Sequence, residues 1–512
     1  MDLARFAAHV REFPAKPAVI IAGTDIVLTY GDLNARSNQG AHFLRSLGLR
    51  SGDTLALCVE NSANFFHVAC AALRSGLTLV PVSSKLTASE LAFIVRDSAA
   101  KAAVLSDGIG EAYFKAPQVL TDILLIGLGR EVAGYRSWNA GLAAQPETTL
   151  PDEYPGREML YSSGTTGRPK GIVYNDASGS GTRTSRSATR MFGMLNIGPD
   201  TVYLSPAPLY HSAPFGWAIA MLELGGTTVV MPRFDPEQAL SLIERYKVSL
   251  SQWVPTHFSR MLKLSAEIRN RYDVSSLKVA IHAAAPCPVP VKRQMIEWWG
   301  PIILEYFGSS EQTALTFITS EEWLAHPGSV GKCVFGKLHI CDEHGKPLPA
   351  GEIGEVHSEG GMDFAYYNDS QKTSQSRNRH GWSTVGDIGY LDGEGYLYLT
   401  DRKNFTIISG GVNIYPQEIE NLLVTHPRIA DATVIGTPDH DLGERVTAVV
   451  QPLDMADAND VFRAELLEWM RSHLSSVKVP KQVDFRAELP RLPTGKMAKH
   501  VLRAEYLDGR QT

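Results

Sequence analysis

Cysteine is scarce in this sequence, and its few copies follow no metal-binding pattern. Five cysteines occur among 512 residues, and no two of them are spaced as Cys-x-x-Cys. The odd number and the spacing argue against a disulfide framework and against a cysteine-based zinc site. We therefore expect inert thiols in a reducing compartment, and hence a cytoplasmic protein.

Long uncharged apolar runs are also lacking. Residues 1–17 contain no apolar stretch of signal-peptide length. Arg74 and Glu223 interrupt the best candidates for a membrane-spanning helix. The sequence therefore predicts no transmembrane segment, and it leaves peripheral membrane contact open.

An excess of positive charge is missing as well. Lys and Arg number 49 against 55 Asp and Glu, which gives a net charge of −6. General nucleic-acid binding needs a basic face that displaces counterions, so this balance predicts no nucleic-acid partner. What is present is an ordinary globular composition, with 44% hydrophobic and 20% charged residues.

Helical and strand patterns alternate through the first part of the chain. Residues 54–59 read as a buried strand, residues 64–73 as a helix and residues 77–80 as another strand. Thr87 and Glu90 have the spacing of a capping box at the start of a further helix. This alternation predicts an α/β fold with parallel strands.

The pattern changes near Gly386 to short strands and glycine-rich turns, followed by two helices and two strands. At 512 residues the chain is long enough for two or more domains. We predict a large N-terminal domain of layered α/β sheets over residues 1–400 and a small α+β C-terminal domain over residues 401–512.

The strongest motif is residues 161–171, Tyr-Ser-Ser-Gly-Thr-Thr-Gly-Arg-Pro-Lys-Gly. Hydroxyls and exposed backbone N–H groups donate to phosphate oxygens, glycine lets the backbone come close, and Lys170 adds a positive charge. A random string of Ser, Thr and Gly would indicate a surface turn, but this ordered one favours phosphate binding. It is not a Walker A loop, because only two residues separate Gly164 from Gly167 and a glycine follows the lysine.

This motif resembles the phosphate loop of the acyl-adenylate-forming superfamily, which includes acyl-CoA synthetases, adenylation domains of peptide synthetases and beetle luciferases. Further motifs follow in the family's order over nearly the whole chain. Residues 281–301 and 384–403 most resemble bacterial fatty-acid, bile-acid and steroid CoA ligases. The resemblance implies ATP, Mg²⁺ and coenzyme A as cofactors, a small-molecule carboxylic acid as substrate and a mobile C-terminal domain.

The resemblance also assigns the cofactor-binding residues. A loop holds the phosphates, a segment of small residues lies against adenine with an aromatic ring stacked on it, an aspartate and an arginine contact the ribose, and two glycines line the path of the CoA arm. In this sequence these residues are Ser162, Ser163, Gly164, Thr165, Thr166, Gly167, Lys170, Ala283, Ala284, Ala285, Pro286, Phe307, Gly308, Ser309, Ser310, Asp387, Arg402, Gly410 and Gly411.

The same resemblance implies the catalytic and metal-binding residues. Lys496 matches the adenylation lysine of a C-terminal loop, and Glu311 and Thr166 match the magnesium ligands. His211, in Pro-Leu-Tyr-His, matches a histidine at the border of the acyl pocket. The predicted catalytic residues are therefore Lys496, Thr166, Glu311 and His211.

The sequence departs from the family pattern at two places that bear on the nucleotide and the hinge. Val385 stands where a threonine usually precedes Gly-Asp, and Asn404 stands where the hinge residue is usually Asp or Lys. Neither change removes a catalytic group. What replaces the missing hydroxyl, and where the pivot lies, are left open.

These observations predict an ATP-dependent carboxylate–CoA ligase that forms an acyl-AMP intermediate and releases AMP and pyrophosphate. The resemblance places the acyl pocket near residues 211–217, 253–258 and 283–285, where Phe215, Trp217 and Trp253 suggest an apolar acid, whether aliphatic, aryl or steroidal. Transfer to a carrier-protein phosphopantetheine, a luciferase-like oxidation and a non-catalytic nucleotide or acyl-CoA binder are the alternatives. A homodimer also stays open.

Overall fold

The computed structural model describes residues 1–162, 169–175, 193, 195–491 and 497–507. Its helices in that part of the chain are α1 Leu3–Glu12, α2 Tyr30–Ser46, α3 Ala63–Arg74, α4 Ala88–Asp97, α5 Glu111–Val119, α6 Trp138–Ala143, α7 Ser212–Leu224, α8 Pro236–Tyr246, α9 Pro255–Leu262, α10 Ala266–Arg269, α11 Val289–Trp299, α12 Ser320–Ala325, α13 Ser370–Gln375, α14 Pro416–Leu423, α15 Asp460–Arg471 and α16 Lys499–Leu507. Short 3₁₀ turns occupy Asp107–Ile109, Lys403–Phe405 and Met455–Asp457.

Strands occur in both the N-terminal and the C-terminal parts of the described chain. They are β1 Pro17–Ile21, β2 Val27–Thr29, β3 Thr54–Cys58, β4 Thr78–Pro81, β5 Ala100–Ser106, β6 Leu124–Leu128, β7 Tyr135–Ser137, β8 Arg157–Glu158, β9 Leu160–Ser162, β10 Lys170–Tyr174, β11 Val202–Ser205, β12 Thr227–Val230, β13 Leu250–Trp253, β14 Val279–His282, β15 Ile303–Gly308, β16 Leu315–Ile318, β17 Gly331–Phe335, β18 Lys337–Cys341, β19 Gly354–Glu359, β20 Phe364–Tyr366, β21 Asp387–Leu391, β22 Tyr396–Arg402, β23 Ile407–Ser409, β24 Val412–Ile414, β25 Ile429–Asp439, β26 Gly443–Pro452 and β27 Gln482–Phe485.

The chain divides into two compact units. The first takes the described residues of 1–164, 168–282 and 362–374, and the second takes those of 283–361 and 375–512. The boundary that the sequence predicts near Asp401 lies inside the second unit and stays a prediction.

The first unit contains two mainly parallel sheets and a small antiparallel one. One parallel sheet has the order β14-β13-β11-β12-β1, with β2 antiparallel at its edge. The other is parallel throughout, in the order β7-β6-β5-β3-β4-β8. Strands β20, β10 and β9 form the antiparallel sheet. Helices connect most of the parallel strands, so the predicted α/β class is confirmed.

Local sequence accounts for where individual elements begin. The Thr87 side chain accepts from the Glu90 backbone N–H, and the Glu90 carboxylate accepts from the Thr87 N–H at 2.9 Å, so the predicted capping box starts α4. The predicted strand–helix–strand series is confirmed as β3, α3 and β4. Their apolar side chains enter the buried core of the first unit, which includes Leu55, Ala69 and Leu79.

The second unit is built mainly from antiparallel strands. Seven of them pair in the order β18-β19-β21-β22-β17-β16-β15. Toward the C-terminus, β24-β23-β26-β25 form a further sheet, to which β27 adds in parallel, with α14 and α15 supplying core residues. Within the described residues, none of the helices has the length and apolar character needed to cross a membrane.

Candidate active site

The phosphate-loop motif begins and ends on one antiparallel hairpin in the first unit. Ser162 of β9 lies opposite Lys170 of β10 in the register, so the two ends of the loop are neighbours. The Tyr161 hydroxyl donates to Asp97 Oδ2 at 2.6 Å, which ties β9 to the end of α4. The loop residues between the strands, Ser163, Gly164, Thr165, Thr166 and Gly167, lie outside the described residues.

Lys170 has an anionic partner in the structure. Its ammonium lies 3.6 Å from Asp369 Oδ2 and 5.5 Å from the centroid of the Tyr366 ring. The side chain is 17% exposed, so this charge is only partly screened by water. A phosphate that binds Lys170 would compete with Asp369 for the same ammonium, and no motif in the sequence indicates this aspartate as a partner.

His211 ends a short turn that leads into α7. Its backbone N–H donates to Pro208 O at 3.2 Å, and its ring centroid lies 4.5 Å from that of Tyr210. Phe215 and Trp217 follow on α7 and are buried. The turn therefore fixes the backbone from which the His211 side chain projects.

A cluster of rings surrounds Trp253 in the same unit. Phe234 stacks on His257 at 4.0 Å between centroids, and both approach the indole of Trp253. The ring centroid of Phe258 lies 6.2 Å from that of Trp253. Burial, together with the nearby charge of Arg260, lowers the pKa of His257 to about 3, so this imidazole is neutral at physiological pH.

A cleft in the second unit brings together nucleotide-binding residues that are far apart in sequence. Its lining includes Phe307, Ser309, Thr313, Leu338, Val356, Ser358, Ser383, Val385 and Asp387. Strand β15 supplies Phe307, and Asp387 begins β21. The Ser309 hydroxyl oxygen is buried and has no hydrogen-bond partner among the described residues. The cleft therefore offers a ring, a hydroxyl and a carboxylate to one ligand.

The predicted ribose residues form an ion pair. Asp387 and Arg402 lie directly opposite each other on β21 and β22, and Arg402 Nε is 2.9 Å from Asp387 Oδ1. The aspartate is buried, whereas the arginine is about one-third exposed. A carboxylate held in this way can accept hydrogen bonds from hydroxyl groups.

The hydroxyl missing at Val385 is found one residue earlier. Thr384 Oγ1 donates to Glu355 Oε1 at 3.0 Å and accepts from the Gly386 N–H at 3.0 Å. Gly386 has φ +83°, which lets the chain turn into β21. The Thr384 hydroxyl thus stabilises the turn, while Val385 gives the cleft an apolar side chain.

The small-residue segment after β14 contains an unusual backbone conformation. Ala284 has φ +77°, a region that residues with a Cβ adopt at a cost of about 1–2 kcal/mol. Ala283 is buried and Ala284 and Ala285 are exposed. Backbone strain of this kind is often found at binding sites. It therefore supports the prediction that this segment and Pro286 lie beside adenine, which stays a proposal.

Glu311 lies in a tight turn after β15. The turn is closed by the Gln312 N–H, which donates to Ser309 O at 3.1 Å, and Gln312 has φ +51°. Glu311 itself is 7% exposed. Within the described part of the chain, no three His, Cys, Asp or Glu side chains form a group that could hold a metal ion.

The segment around Asn404 contains a group of charged residues that sequence reasoning missed. Lys403 Nζ lies 2.9 Å from Glu355 Oε2, and Asp401 Oδ2 accepts from the Gln417 N–H at 3.1 Å at the start of α14. Burial raises the pKa of Asp401 above its ordinary value, although nearby Lys499 opposes this effect. No periodicity or motif in the sequence indicates these pairings.

Gly410 and Gly411 occupy the tip of the β23–β24 hairpin. Their φ angles are +56° and +80°, as a two-residue turn of type I′ requires, so the hairpin itself accounts for two glycines. The predicted CoA-facing role is a further proposal. Lys496 lies outside the described residues, between the bridge partners Arg491 and Met497.

Family models match most of the chain. Residues 6–367 match the AMP-binding enzyme family, and residues 418–496 match the AMP-binding enzyme C-terminal domain.

Curated relatives of the chain are similar over nearly their whole length. The chain is 32% identical over 506 residues to the long-chain-fatty-acid–CoA ligase FadD13 of Mycobacterium tuberculosis, covering 96% of each chain. It is 30% identical to a feruloyl-CoA synthase of Amycolatopsis, covering 97% of each. It is 29% identical to the fatty acid–[acyl-carrier-protein] ligase ScoC of Streptomyces coeruleorubidus, covering 97% of this chain and 95% of that one.

Solved structures share the fold. The o-succinylbenzoate CoA synthetase MenE of Bacillus subtilis, in complex with its acyl-adenylate intermediate, superimposes with a TM-score of 0.83 at 25% identity. The match covers 98% of this chain and 97% of that one.

Proposed function

We propose that this chain, which belongs to the AMP-binding enzyme family and is an acid–thiol ligase, joins an apolar carboxylic acid to coenzyme A. The observation that supports the proposal is the cleft of the second unit, where Phe307, Ser309 and Asp387 come together and Arg402 pairs with that aspartate. A ring, a hydroxyl and an ion pair of this kind suit the adenine and ribose of ATP. The reaction would proceed through acyl-AMP and release AMP and pyrophosphate.

In the first half-reaction the substrate carboxylate attacks the α-phosphorus of ATP and pyrophosphate leaves. Negative charge then builds on the phosphate oxygens, and fixed positive groups lower its free energy. We assign this role to Lys496, Lys170 and the Thr166 hydroxyl. Glu311 and Thr166 would hold Mg²⁺, which when bound neutralises phosphate charge.

In the second half-reaction the thiol of CoA attacks the acyl carbonyl and AMP leaves. Water must be kept from the mixed anhydride, because hydrolysis would waste the ATP. We assign the path of the CoA arm to the hairpin at Gly410 and Gly411. The glycines' lack of side chains would let the arm pass, in addition to allowing the turn.

The proposal of an apolar substrate is based on the aromatic cluster of the first unit. Trp253, Phe258 and Phe234 form a buried cluster, and His257 within it is neutral because burial lowers its pKa to about 3. A hydrocarbon or aryl body suits these rings, while the Arg260 guanidinium, 5.0 Å from the centroid of the Phe234 ring, is the charged group nearest to the cluster that the contacts show. The names of two relatives, a long-chain-fatty-acid–CoA ligase and a feruloyl-CoA synthase, agree with an aliphatic or aryl acid.

A carrier-protein phosphopantetheine is the alternative acceptor, because one relative is named as a fatty acid–[acyl-carrier-protein] ligase. A non-catalytic binder is disfavoured by the retention of Lys170, Glu311, Asp387, Arg402 and Lys496. The two acceptors differ in whether the thiol belongs to a free small molecule, CoA, or to a phosphopantetheine attached to a carrier protein. They can therefore be compared directly as substrates.

The test is an ATP–pyrophosphate exchange screen across fatty, aryl and steroid acids, followed by turnover with CoA or with a phosphopantetheine-loaded carrier protein. We expect exchange with apolar acids, acyl-CoA and AMP as products, and loss of activity when EDTA removes the divalent ion. A dicarboxylic acid of similar length is the matched control and should support less exchange than the apolar acids, because its second carboxylate must be desolvated. ADP as the main nucleotide product, or no exchange with any acid, would contradict the proposal.

A further inference from the structure

One asparagine side chain in the first unit is hydrogen-bonded to three separate backbone positions. Asn61 lies three residues beyond the end of β3 and is 8% exposed. Its Nδ2 donates to Ala207 O at 3.0 Å and to Met231 O at 2.9 Å, and its Oδ1 accepts from the Leu209 N–H at 2.8 Å. Both N–H groups and the carbonyl of the amide are therefore used.

These three bonds join elements that belong to different sheets. Asn61 follows β3 of the all-parallel sheet, and Met231 follows β12 of the other parallel sheet. Ala207 and Leu209 lie in the connection between β11 and α7. The amide thus links that connection to the segments that follow two strands, β3 and β12. An aspartate or a leucine of similar size could not make all three hydrogen bonds, because neither side chain has two N–H donors.

The fastened connection carries His211. Leu209 precedes Tyr210 and His211 directly, and the His211 N–H completes the turn by donating to Pro208 O at 3.2 Å. Tyr210 shares a side-chain hydrogen bond with Ser83, so the β3–β4 side of the unit holds the turn at a second point. Phe65 of α3 also packs on Phe215 of α7 at 6.1 Å between centroids.

We propose that Asn61 is a positioning residue for binding of the acid: it fixes the position and orientation of the Tyr210–His211 turn at the acyl pocket. This inference rests on the proposed function, because it takes His211 to border the acid. A buried amide that only stabilises the fold would affect every substrate alike. A positioning residue affects the acid and leaves ATP binding unchanged.

The experiment compares Asn61→Ala with Asn38→Ala in the full chain. Asn38 is the matched control, since it is a buried asparagine of the same unit whose Nδ2 donates to one backbone carbonyl, that of Glu147, at 2.6 Å. In ATP–pyrophosphate exchange we expect Asn61→Ala to raise the KM for the acid at least tenfold, with the KM for ATP and kcat within about twofold of wild type. Asn38→Ala should lower thermal stability and change neither KM.

Two further variants keep the test decisive. Asn61→Ser retains one donor and one acceptor, so it should fold and give a smaller rise in the KM for the acid. Combining Asn61→Ala with His211→Ala should add little to the rise caused by His211→Ala alone, because both act through one turn. Additive effects, or equal changes in the KM values for acid and ATP, would overturn the inference. Failure of wild type to support exchange with any acid would instead defeat the proposed function.

Discussion

At the scale of single residues, Ala284 shows how much the local backbone matters at the adenine segment. Glycine adopts a φ of +77° without strain, whereas for alanine this backbone conformation costs about 1–2 kcal/mol. Neighbouring Ala285 is not among the residues with positive φ. The two alanines look equivalent in sequence, yet a glycine should have opposite effects at the two positions.

We expect Ala284→Gly to raise the free energy of unfolding by up to about 1 kcal/mol, because relief of strain exceeds the added freedom of the unfolded chain. Ala285→Gly should lower it by about 0.5–1 kcal/mol, since only the added freedom applies. Ala284→Val should destabilise the protein and weaken ATP binding. Urea denaturation and titration calorimetry measure both quantities, and equal shifts for the two glycine variants would refute the conformational argument.

At the scale of elements, a buried ion pair joins α11 to β15, the strand that carries Phe307. Lys292 Nζ lies 2.6 Å from Glu305 Oε2, and the two side chains are 0% and 5% exposed. Burial raises the pKa of Glu305, although the adjacent ammonium of Lys292 opposes this shift. Lys292 also lies 4.9 Å from the centroid of the Trp323 ring. The pair therefore fixes β15 at the cost of desolvating two charges.

We expect Glu305→Gln to lower the free energy of unfolding by about 3–5 kcal/mol, because it leaves a buried ammonium without its counter-charge. The double variant Lys292→Met with Glu305→Leu should recover most of that loss, since no charge then remains buried. Glu111→Gln is the control, because its partner Lys115 is 2.6 Å away on an exposed helix face and its loss should barely shift the denaturation midpoint. A similar loss for both glutamates would show that burial does not govern the effect.

At the scale of the whole molecule, two glycines and a lysine toward the C-terminus allow the two half-reactions to be separated. We expect Lys496→Ala to abolish acyl-AMP formation yet still convert supplied acyl-AMP and CoA to thioester, because the proposed role of the lysine is to neutralise charge before AMP forms. Gly410→Leu should do the reverse. Rapid-quench assays of each half-reaction measure both, and normal adenylation by folded Lys496→Ala would refute the assignment.

The hairpin adds a control that the sequence alone did not suggest. Gly410 has φ +56°, so a leucine strains the turn as well as adding bulk. Gly410→Asn tolerates this conformation with a smaller side chain and should keep most of the thioester step. Circular dichroism of each variant shows whether the fold is retained. If Asn and Leu impair the step equally, turn geometry is not what Gly410 provides, because asparagine keeps the turn; the added side chain itself then blocks the CoA arm.

The sequence by itself determined the features that depend on near neighbours along the chain. The spacing of Thr87 and Glu90 places both groups within one helical turn, so the start of α4 could be predicted. The order of the motifs from residue 161 to residue 497 identified the family, because each motif is a short contiguous string. The alternation of patterns indicated the α/β class for the same reason.

Only the tertiary structure decided which distant residues meet. The Lys170–Asp369 and Asn61–Met231 contacts join positions about 170–200 residues apart, and the cleft that contains Phe307 and Asp387 also takes residues from β18 and β19. Such pairs follow from strand order and register, which depend on how whole sheets pack and not on any one segment. A local sequence pattern does not specify that packing. The motifs therefore predicted the chemistry of the site, while the fold determined which distant residues hold the site residues in place.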